Sequence, residues 1–300
     1  MIGFLNVIKP GGITSHDLVN RVRKIFGIKR VGHAGTLDPM ATGVMIVALG
    51  GCCRLLQFVP GDKTYLADIL LGTRTDTDDI EGEVLERTED LSGLDKSAIN
   101  QAVQAFAGKQ HQVPPIYSAI KQGGMKMYDL ARRGQAPAVL PTRPVEIYSI
   151  EVLLIEPPVV RIRVSCSKGT YIRSIARDLG DRLSVGGCLS ALVRERSAFF
   201  DLADGLSLEE LAELKEKDRL QDALVSPTFA LGLTELPVDR DTARRLAHGQ
   251  SIPKESLATG KDATLEKRFL IALEDSLIAL VKLEDEEIKP EVVLKHAAEI

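Results

Sequence analysis

Cysteine and long apolar segments are scarce in this chain of 300 residues. Its four cysteines form no CxxC pair and are too few and too irregularly spaced for a disulfide framework. The longest uncharged apolar run, near residues 44–53, reaches about half of the roughly 20 residues that a membrane-spanning helix needs. The segment Met1–Phe4 has no basic start, apolar core or cleavage site of a signal peptide. We therefore expect a cytoplasmic protein that does not enter a membrane.

The motifs of several common enzyme classes are also missing. The turn Cys166–Arg173 resembles a phosphate-binding turn in its position, but it lacks the GxxxxGK[ST] spacing, and no GxGxxG is present. No GxSxG elbow and no papain-like or caspase-like cysteine motif occurs. The five histidines include no HExxH, and no cysteine pair has a spacing suited to zinc. The sequence thus predicts neither a bound metal ion nor an organic cofactor.

Charge is distributed unevenly along a chain whose net charge is −4. Residues 1–60 contain 7 Lys and Arg against 2 Asp and Glu, whereas residues 61–120 contain 5 against 11. The balance is 13 against 7 over residues 121–200 and 13 against 22 over residues 201–300. Two basic stretches that flank an acidic one can build a phosphate-facing surface, although ordinary solvated charge explains the same counts. Composition permits a polyanionic partner without requiring one.

Hydrophobic periodicity predicts helices and strands that mix without a regular βαβ rhythm. Helical spacing is found in four segments: 14–30, 94–108, 170–183 and 241–248. A capping box at Ser207–Glu210 opens one further helix. Strand patterns are found in five segments: 43–49, 65–71, 160–164, 269–273 and 276–282. These patterns favour an α+β fold with a mixed, largely antiparallel sheet.

A domain boundary is expected where Pro227, Gly232 and Pro237 interrupt the helical pattern. We place it between residues 232 and 233. The first 232 residues then form the main domain, and residues 233–300 form a small β-rich accessory domain.

One segment, Gly32–Gly43, places an acid and a histidine in a Gly- and Pro-rich loop between a basic helix and an apolar strand. Such a loop can hold a carboxylate at the mouth of a cleft. Taken alone, Asp38 before Pro39 is more often a turn residue, and His33 is more often structural.

A second segment, Pro114–Lys121 with Tyr128 and Ala131–Arg133, interleaves aromatic rings with cations. It suits bases that stack beside a phosphate backbone, and it suits an ordinary surface loop and helix equally well.

Taken together, these segments resemble the TruB family, the bacterial tRNA pseudouridine-55 synthases. Five motifs match in order: Lys9–Asp17, Gly32–Gly43, Lys63–Tyr65 with Leu71–Thr77, Pro114–Arg132 and Cys166–Arg173. The segment Leu236–Gln250 is similar to the start of the family's C-terminal PUA-type RNA-binding domain. The resemblance implies a pseudouridine synthase catalytic domain followed by a PUA-like domain.

The resemblance also implies roles for individual residues. Asp38 stands at the position of the catalytic aspartate, and Tyr65 at that of a tyrosine that lies against the target base and serves in proton transfer. Arg173 stands at the position of an arginine that pairs with the aspartate, and we expect it to lower the pKa of Asp38. Five further residues match positions that bind or support the substrate: His33, which is associated with prising out the uridine, the pocket residues Tyr171 and Leu192, Lys9 beside Pro10, and Lys168.

Some positions depart from the family pattern. Val193-Arg194-Glu195 stands where Arg-Arg-Thr is frequent, Ala198 where Gly is usual, and Asn6 where Asp is frequent. The loss of one cation at 193–195 is expected to weaken a phosphate contact or a local ion pair. None of these changes affects the residues matched to the catalytic positions.

The implied activity is the isomerisation of uridine 55 in the T-arm loop of tRNA, by base flipping and formation of a C-glycoside. It needs no redox cofactor or group donor. The implied partner is tRNA, at its T arm with the acceptor end as a second contact, and we expect a monomer.

One alternative is a synthase for another RNA, such as a guided rRNA enzyme; the absence of extra basic tails favours a stand-alone tRNA enzyme. The other is a non-catalytic RNA-binding or RNA-folding protein, against which the joint presence of Asp38, Tyr65, Tyr171 and Arg173 argues.

Overall fold

The computed structural model describes residues 1–118, 121–122, 125–127, 141–257, 267–295 and 300. The strands of the larger unit are β1 (Gly3–Lys9), β2 (Val31–Ala34), β3 (Thr42–Leu49), β4 (Lys63–Leu71), β5 (Thr73–Thr75), β6 (Val84–Arg87), β7 (Gly108–Gln112), β8 (Lys121–Gln122), β9 (Met125–Lys126), β10 (Arg143–Glu156), β11 (Val159–Cys166), β12 (Gly187–Ser197) and β13 (Phe200–Asp201). Its helices are α1 (Ser15–Phe26), α2 (Lys96–Gln104), α3 (Ile172–Arg182), α4 (Leu208–Glu216) and α5 (Pro227–Leu231). Short 3₁₀ turns lie at Gly50–Arg54, Leu56–Phe58, Leu202–Asp204 and Leu220–Ala223.

Within the described residues, nine strands form the central sheet of this unit. Seven run in the order β1-β3-β12-β4-β11-β10-β7, while β2 pairs with β3 and β13 with β12. Among these pairs, β3 and β12 run parallel and the others are antiparallel. The predicted α+β fold with a mixed, largely antiparallel sheet is confirmed.

Side-chain alternation along the strands sends apolar residues to both faces of the sheet. Val7 and Met45 face one side and pack in the main core against α1, α2, α3 and α4. Phe4 and Ile46 face the other side and pack in a second apolar cluster. Because β3 is buried on both faces, its sequence is a continuous apolar run rather than an alternating one.

The C-terminal unit is rich in β-structure, as predicted. Its elements are β14 (Glu235–Pro237), α6 (Arg240–Ala247), β15 (Ile252–Pro253), a 3₁₀ turn at Lys254–Ser256, β16 (Arg268–Leu273), β17 (Ser276–Glu284) and β18 (Glu287–Val293). The described strands pair in the order β14-β16-β17-β18-β15, and α6 packs on them through Leu246, which joins Phe269 and Ile288 in a separate small core.

An apolar layer joins the two units. Leu270, Leu280 and Val292 of the C-terminal strands belong to the same buried cluster as Phe4 and Ile46 of the central sheet. The Arg268 guanidinium also lies 5.5 Å from the ring centre of Phe58. The C-terminal unit therefore covers one face of the central sheet.

Most predicted elements are present, with different ends. The helix predicted over 14–30 is α1, which begins after the Thr14 cap and ends at Gly27, whose φ of +66° is left-handed. The helix predicted over 94–108 is shorter, since Asp95 caps α2 and the chain enters β7 at Gly108. The long strands β1, β10 and β12 were not predicted, because they combine apolar and charged residues without strict alternation.

Candidate active site

A cavity of about 760 Å³ opens beside the loop that follows β2. Among the residues that line it are seven of the eight predicted site residues: His33, Asp38, Tyr65, Lys168, Tyr171, Arg173 and Leu192. These side chains come from β2, the loop between β2 and β3, β4, β12, the loop after β11 and the start of α3. Residues that are up to 159 positions apart in sequence are thus brought to one site.

Lys9, the eighth predicted residue, lies beneath the loop that carries Asp38. Its ammonium group is fully buried and donates hydrogen bonds to three carbonyl oxygens, those of Pro10 at 2.9 Å, Pro39 at 3.0 Å and Ala41 at 2.7 Å. Burial lowers the pKa of Lys9 to about 8, while Asp38 acts in the opposite direction. Lys9 therefore supports the loop from below and does not line the cavity.

Ser15 holds the same loop from the side of α1. Its buried hydroxyl donates to the Leu37 carbonyl oxygen at 2.9 Å and accepts from the Leu37 amide at 2.9 Å. Thr14 and Asp17 form a capping box that fixes the first turn of α1 and hence the position of Ser15. The backbone next to Asp38 is held on two sides.

Asp38 and Arg173 form a two-point ion pair inside the cavity. Nη2 of Arg173 donates to Oδ1 of Asp38 at 3.0 Å, and Nε lies 3.0 Å from Oδ2, without a hydrogen-bonding angle. The Arg173 side chain is 7% exposed, whereas that of Asp38 is 32% exposed. The arginine thus stands behind the carboxylate, which remains open to the cavity.

The backbone and a second carboxylate fix the other donors of Arg173. Nη2 also donates to the Tyr117 carbonyl at 3.0 Å, and Nη1 donates to the Thr77 carbonyl at 3.0 Å. Nη1 lies 3.5 Å from Oδ2 of Asp79, a side chain that is only 7% exposed. One cation is therefore shared by two carboxylates.

The net pKa shift of Asp38 is opposite to the one expected from the sequence. Burial raises the pKa of the Asp38 carboxyl, and the nearby charge of Asp79 adds to this. Arg173 lowers it, as anticipated, but desolvation is the larger effect. The expectation of a lowered pKa was wrong because the motif reveals the cation and not the depth of the pocket.

Tyr65 lies on β4, is 7% exposed and lines the cavity. Its cross-strand neighbours are Val164 on β11 and Arg194 on β12. Burial raises the pKa of the Tyr65 phenol, and the Arg194 guanidinium opposes this shift. Tyr65 therefore carries its proton at neutral pH and presents a neutral ring to the cavity.

Tyr171 and Leu192 line the cavity from α3 and β12. Tyr171 stands at the N-cap of α3, and the Gln112 side-chain amide binds its backbone on both sides, at 2.8 Å to the amide and 2.9 Å to the carbonyl. Leu192 is 7% exposed on β12. Burial lowers the pKa of His33, and its Nδ1 is buried without a hydrogen-bond partner. These residues form an apolar and aromatic wall beside the ion pair.

Sequence reasoning missed four residues that build the site: Lys63, Asp79, Gln112 and Arg143. The run Thr75–Asp79 contains three aspartates, and only the path of the loop decides which of them turns toward Arg173. Arg143 begins β10 and had no signal except the basic balance of residues 121–200. The predicted aromatic and basic residues Tyr128 and Ala131–Arg133 lie outside the described residues.

The described residues offer neither a metal site nor a membrane-spanning helix. In the part of the chain that the structure describes, no three His, Cys, Asp or Glu side chains stand where they could hold a metal ion. None of the described helices has both the length and the apolar composition required to cross a membrane.

Residues 23–172 match the family model described as TruB family pseudouridylate synthase, N-terminal domain. The tRNA pseudouridine synthase B of Acaryochloris marina is 40% identical over 297 residues, which cover 98% of this chain and 99% of that protein. The chain belongs to the TruB family. The tRNA pseudouridine synthase B of Trichormus variabilis is also similar to it, at 44% identity over 268 residues, with 87% of this chain and 89% of that protein covered.

Solved structures share the fold of this TruB family chain. The crystal structure of a Cbf5-Nop10-Gar1 complex matches with a TM-score of 0.73 and 28% identity, over 99% of this chain and 86% of that chain. An H/ACA RNP bound to a substrate RNA containing 2′-deoxyuridine matches with a TM-score of 0.70 and 26% identity, over 98% of this chain and 86% of that chain. The pseudouridine synthase fold predicted from the motifs is confirmed.

The departures from the TruB pattern lie around the site. Glu195 binds Arg163 on the neighbouring strand, with Nε of Arg163 2.8 Å from Oε2 of Glu195. Arg161 is likewise paired with Asp68 through two hydrogen bonds, at 2.6 and 2.8 Å. The two arginines of β11, Arg161 and Arg163, are thus neutralised by ion pairs. Ala198 adopts a left-handed φ of +51°, which is a conformation that favours the glycine usual in the family.

Proposed function

We propose that this TruB family protein isomerises uridine 55 in the T-arm loop of tRNA to pseudouridine. The observation that carries the proposal is the Asp38–Arg173 ion pair in a cavity lined by Tyr65, Tyr171 and Leu192. A carboxylate, a tyrosine ring and an apolar wall are what a flipped pyrimidine needs for reaction and for packing. The 40% identity to a tRNA pseudouridine synthase B along almost the whole chain supports tRNA as the substrate.

In the reaction the N1–C1′ bond of uridine breaks, the uracil turns, and C5 joins C1′. The hydrogen on C5 leaves as a proton, and N1 gains one, so no oxidant or donor is consumed. Asp38 is the catalytic carboxylate that attacks C1′ or C6 or assists the departing uracil. Arg173 holds it in position and favours its ionised form, against the desolvation that raises its pKa.

The remaining residues bind the flipped nucleotide. Tyr65 stacks on the uracil, an interaction worth roughly 1–3 kcal/mol per base, and its hydroxyl serves in proton transfer. Tyr171 and Leu192 pack around the base, and His33 helps to displace it from the T loop. Lys168 meets the RNA backbone, and Lys9 keeps the Asp38 loop in place.

We further propose that residues 1–232 form the catalytic domain and residues 233–300 a PUA-like domain that contacts the acceptor end of the tRNA. Three exposed arginines of α6, Arg240, Arg244 and Arg245, offer a local cationic patch on this unit. The protein acts as a monomer in the cytoplasm and needs no cofactor.

Release of tritium from a tRNA transcript that carries [5-³H]uridine tests the proposal, because C5 loses its hydrogen only when the new C–C bond forms. One equivalent per tRNA is expected from the natural sequence, and none from a transcript with cytidine at position 55. Equal release from both transcripts would contradict the assignment of the substrate position. Activity on rRNA fragments alone would favour the alternative of a synthase for another RNA.

A further inference from the structure

Three cations line the active-site cavity in addition to Arg173: Lys63, Arg143 and Lys168. Within the described residues, none of the three forms an ion pair. Arg173, in contrast, is matched by Asp38 and Asp79. The three cations therefore bring positive charge to the cavity wall that no described carboxylate balances through an ion pair, although Asp62 acts on Lys63 from a greater distance.

Two glycines make room for these cations beside the cavity. Nζ of Lys63 donates to the Gly61 carbonyl at 2.6 Å, and the stem of Lys168 packs on Gly61, where a Cβ would lie 2.6 Å from the Lys168 Cβ. The Arg143 guanidinium packs on Gly169, where a Cβ would lie 2.5 Å from Nη2. A larger residue at either glycine would displace a cation. Lys63 and Arg143 are half-buried and Lys168 is exposed, and each of the three contacts Gly61 or Gly169.

One buried donor group in the cluster is left without a partner. The Nε of Arg143 is buried and makes no hydrogen bond, and its guanidinium lies 5.9 Å from the ring centre of Tyr171. Burial lowers the pKa of Lys63 to about 8, and Arg194 and Lys168 add to the shift. Desolvated charges of the same sign raise the free energy of the folded protein unless an anion binds between them. The arrangement is that of an anion site.

A phosphodiester is the anion that the geometry fits. The N-terminus of α3 borders the same part of the cavity, and its dipole favours negative charge there. The planar fork of an arginine matches two phosphate oxygens, and lysines act beside it as point charges. When a base enters the cavity, the two phosphodiesters on the 5′ and 3′ sides of its nucleoside are brought to the rim.

We propose that Lys63, Arg143 and Lys168, here called the phosphate clamp, bind the RNA phosphates that flank the flipped uridine. The proposal rests on the function proposed above, since it requires a flipped nucleotide in the cavity. Phosphate contacts carry no sequence information, but they fix the position of a strand on a protein. The phosphate clamp therefore aligns the C1′ of the target nucleotide with Asp38.

The test is binding of a T-arm stem-loop by full-length Asp38→Asn protein, with Arg143→Gln added in a second variant. The RNA is used in its natural form and with an uncharged methylphosphonate in place of the phosphate on the 5′ or the 3′ side of the target uridine. We expect Arg143→Gln to weaken binding of the natural RNA roughly tenfold. The slope of log K against log salt concentration should fall by about 0.7.

The decisive result is the combination of both changes. If Arg143 binds one of these phosphates, the methylphosphonate at that position weakens the Asp38→Asn protein but does not weaken the Arg143→Gln variant further. Arg143→Lys, which keeps the charge and loses the fork, should bind with intermediate strength. Additive losses at both positions would overturn the proposal.

Lys217→Gln provides the matched control. Lys217 is exposed at the end of α4 and pairs only with Glu213 among the described residues, so its change alters the net charge equally without touching the cavity. An equal fall in the salt slope for both variants would show a general charge effect and overturn the clamp. Wild-type conversion of the natural stem-loop separates the two proposals: conversion with additive losses overturns the clamp alone, whereas no conversion overturns both.

Discussion

At the scale of single residues, the state of Asp38 results from two opposing effects. Desolvation favours the neutral acid and raises its pKa, while Arg173 favours the carboxylate. Arg173 is itself held by the Thr77 and Tyr117 carbonyls and by Asp79. The carboxylate is thus oriented by a cation that cannot move away from it, which suits attack on a substrate carbon.

Asp38→Asn should abolish turnover, because the amide keeps the shape of the side chain and loses its nucleophilicity. Affinity for tRNA should stay within about tenfold of wild type, since the residue is matched to the chemical step rather than to binding. Single-turnover assays and equilibrium binding measure the two effects. Appreciable isomerisation by a preparation checked for deamidation would refute the assignment.

The rate should fall as the pH is lowered through the pKa of Asp38. Because burial raises this pKa above the ordinary 3.8, the carboxylate becomes protonated, and the rate is lost, at a higher pH than for a solvated aspartate. Single-turnover rates measured across acidic pH, with binding checked at each point, report the value. An acid limb at or below the ordinary value would show that Arg173 dominates instead.

Tyr65→Phe separates the two roles of one ring. Phenylalanine keeps the stacking face and lacks the hydroxyl, so a role in proton transfer predicts slow chemistry with nearly normal binding. Tyr65→Ala should impair both binding and chemistry. If Tyr65→Phe turns over normally and only Tyr65→Ala fails, the residue serves as a stacking platform alone.

At the scale of elements, the catalytic loop is positioned from outside the cavity by α1 and β1. Ser15 at the start of α1 binds both backbone groups of Leu37, and Lys9 at the end of β1 binds the carbonyls of Pro39 and Ala41. Asp38 lies between these anchored residues. The position of Asp38 therefore depends on Ser15 and Lys9, neither of which lines the cavity.

Ser15→Ala should lower kcat through misplacement of Asp38, because two buried backbone groups lose their partner. The free energy of unfolding should fall by roughly 1–3 kcal/mol. Ser207→Ala, which removes the capping box of α4 and does not line the cavity or bind the Asp38 loop, is the matched control. It should cost about 1 kcal/mol and leave kcat unchanged. Equal kcat for the two variants would mean that the Ser15 contacts contribute only to stability.

The sequence predicts the helices more accurately than it predicts the strands and the contacts of individual site residues. Caps and periodicity located α1, α3, α4 and α6 to within a few residues, because these signals are local. The strands β10 and β12 were not predicted. Their mixture of apolar and charged residues is explained only by the strands that pair with them on either side. The same holds for Arg143 and Asp79, whose importance arises from contacts across the fold. Motif resemblance located seven cavity residues because chemistry constrains their types.

At the scale of the whole molecule, the C-terminal unit covers one face of the central sheet. Leu270, Leu280 and Val292 share a buried cluster with Phe4 and Ile46, so removal of residues 233–300 would expose apolar surface. A loss of activity after truncation would then mix folding with recognition. Surface substitutions in the full chain separate the two effects.

Replacement of Arg240, Arg244 and Arg245 by Gln should weaken binding of full-length tRNA while an isolated T-arm stem-loop remains a normal substrate. All three side chains are exposed on α6, so the variant should unfold like the wild type. The physical reason is the loss of phosphate contacts at the acceptor end, which also reduces the salt dependence of binding. Unchanged binding of both RNAs would indicate that the C-terminal unit shields the sheet and does not read the tRNA.

The most direct test of the account is to incubate unmodified full-length tRNA with the protein and to map pseudouridine at every position. Because the two isomers have equal mass, the RNA is first treated with a carbodiimide that leaves a stable adduct on pseudouridine and not on uridine, and the adducts are then located by mass spectrometry. We expect complete conversion at position 55, no pseudouridine elsewhere, and none anywhere with the Asp38→Asn variant. Conversion at another position, or undiminished conversion at position 55 by the variant, would contradict the central claim that Asp38 isomerises uridine 55.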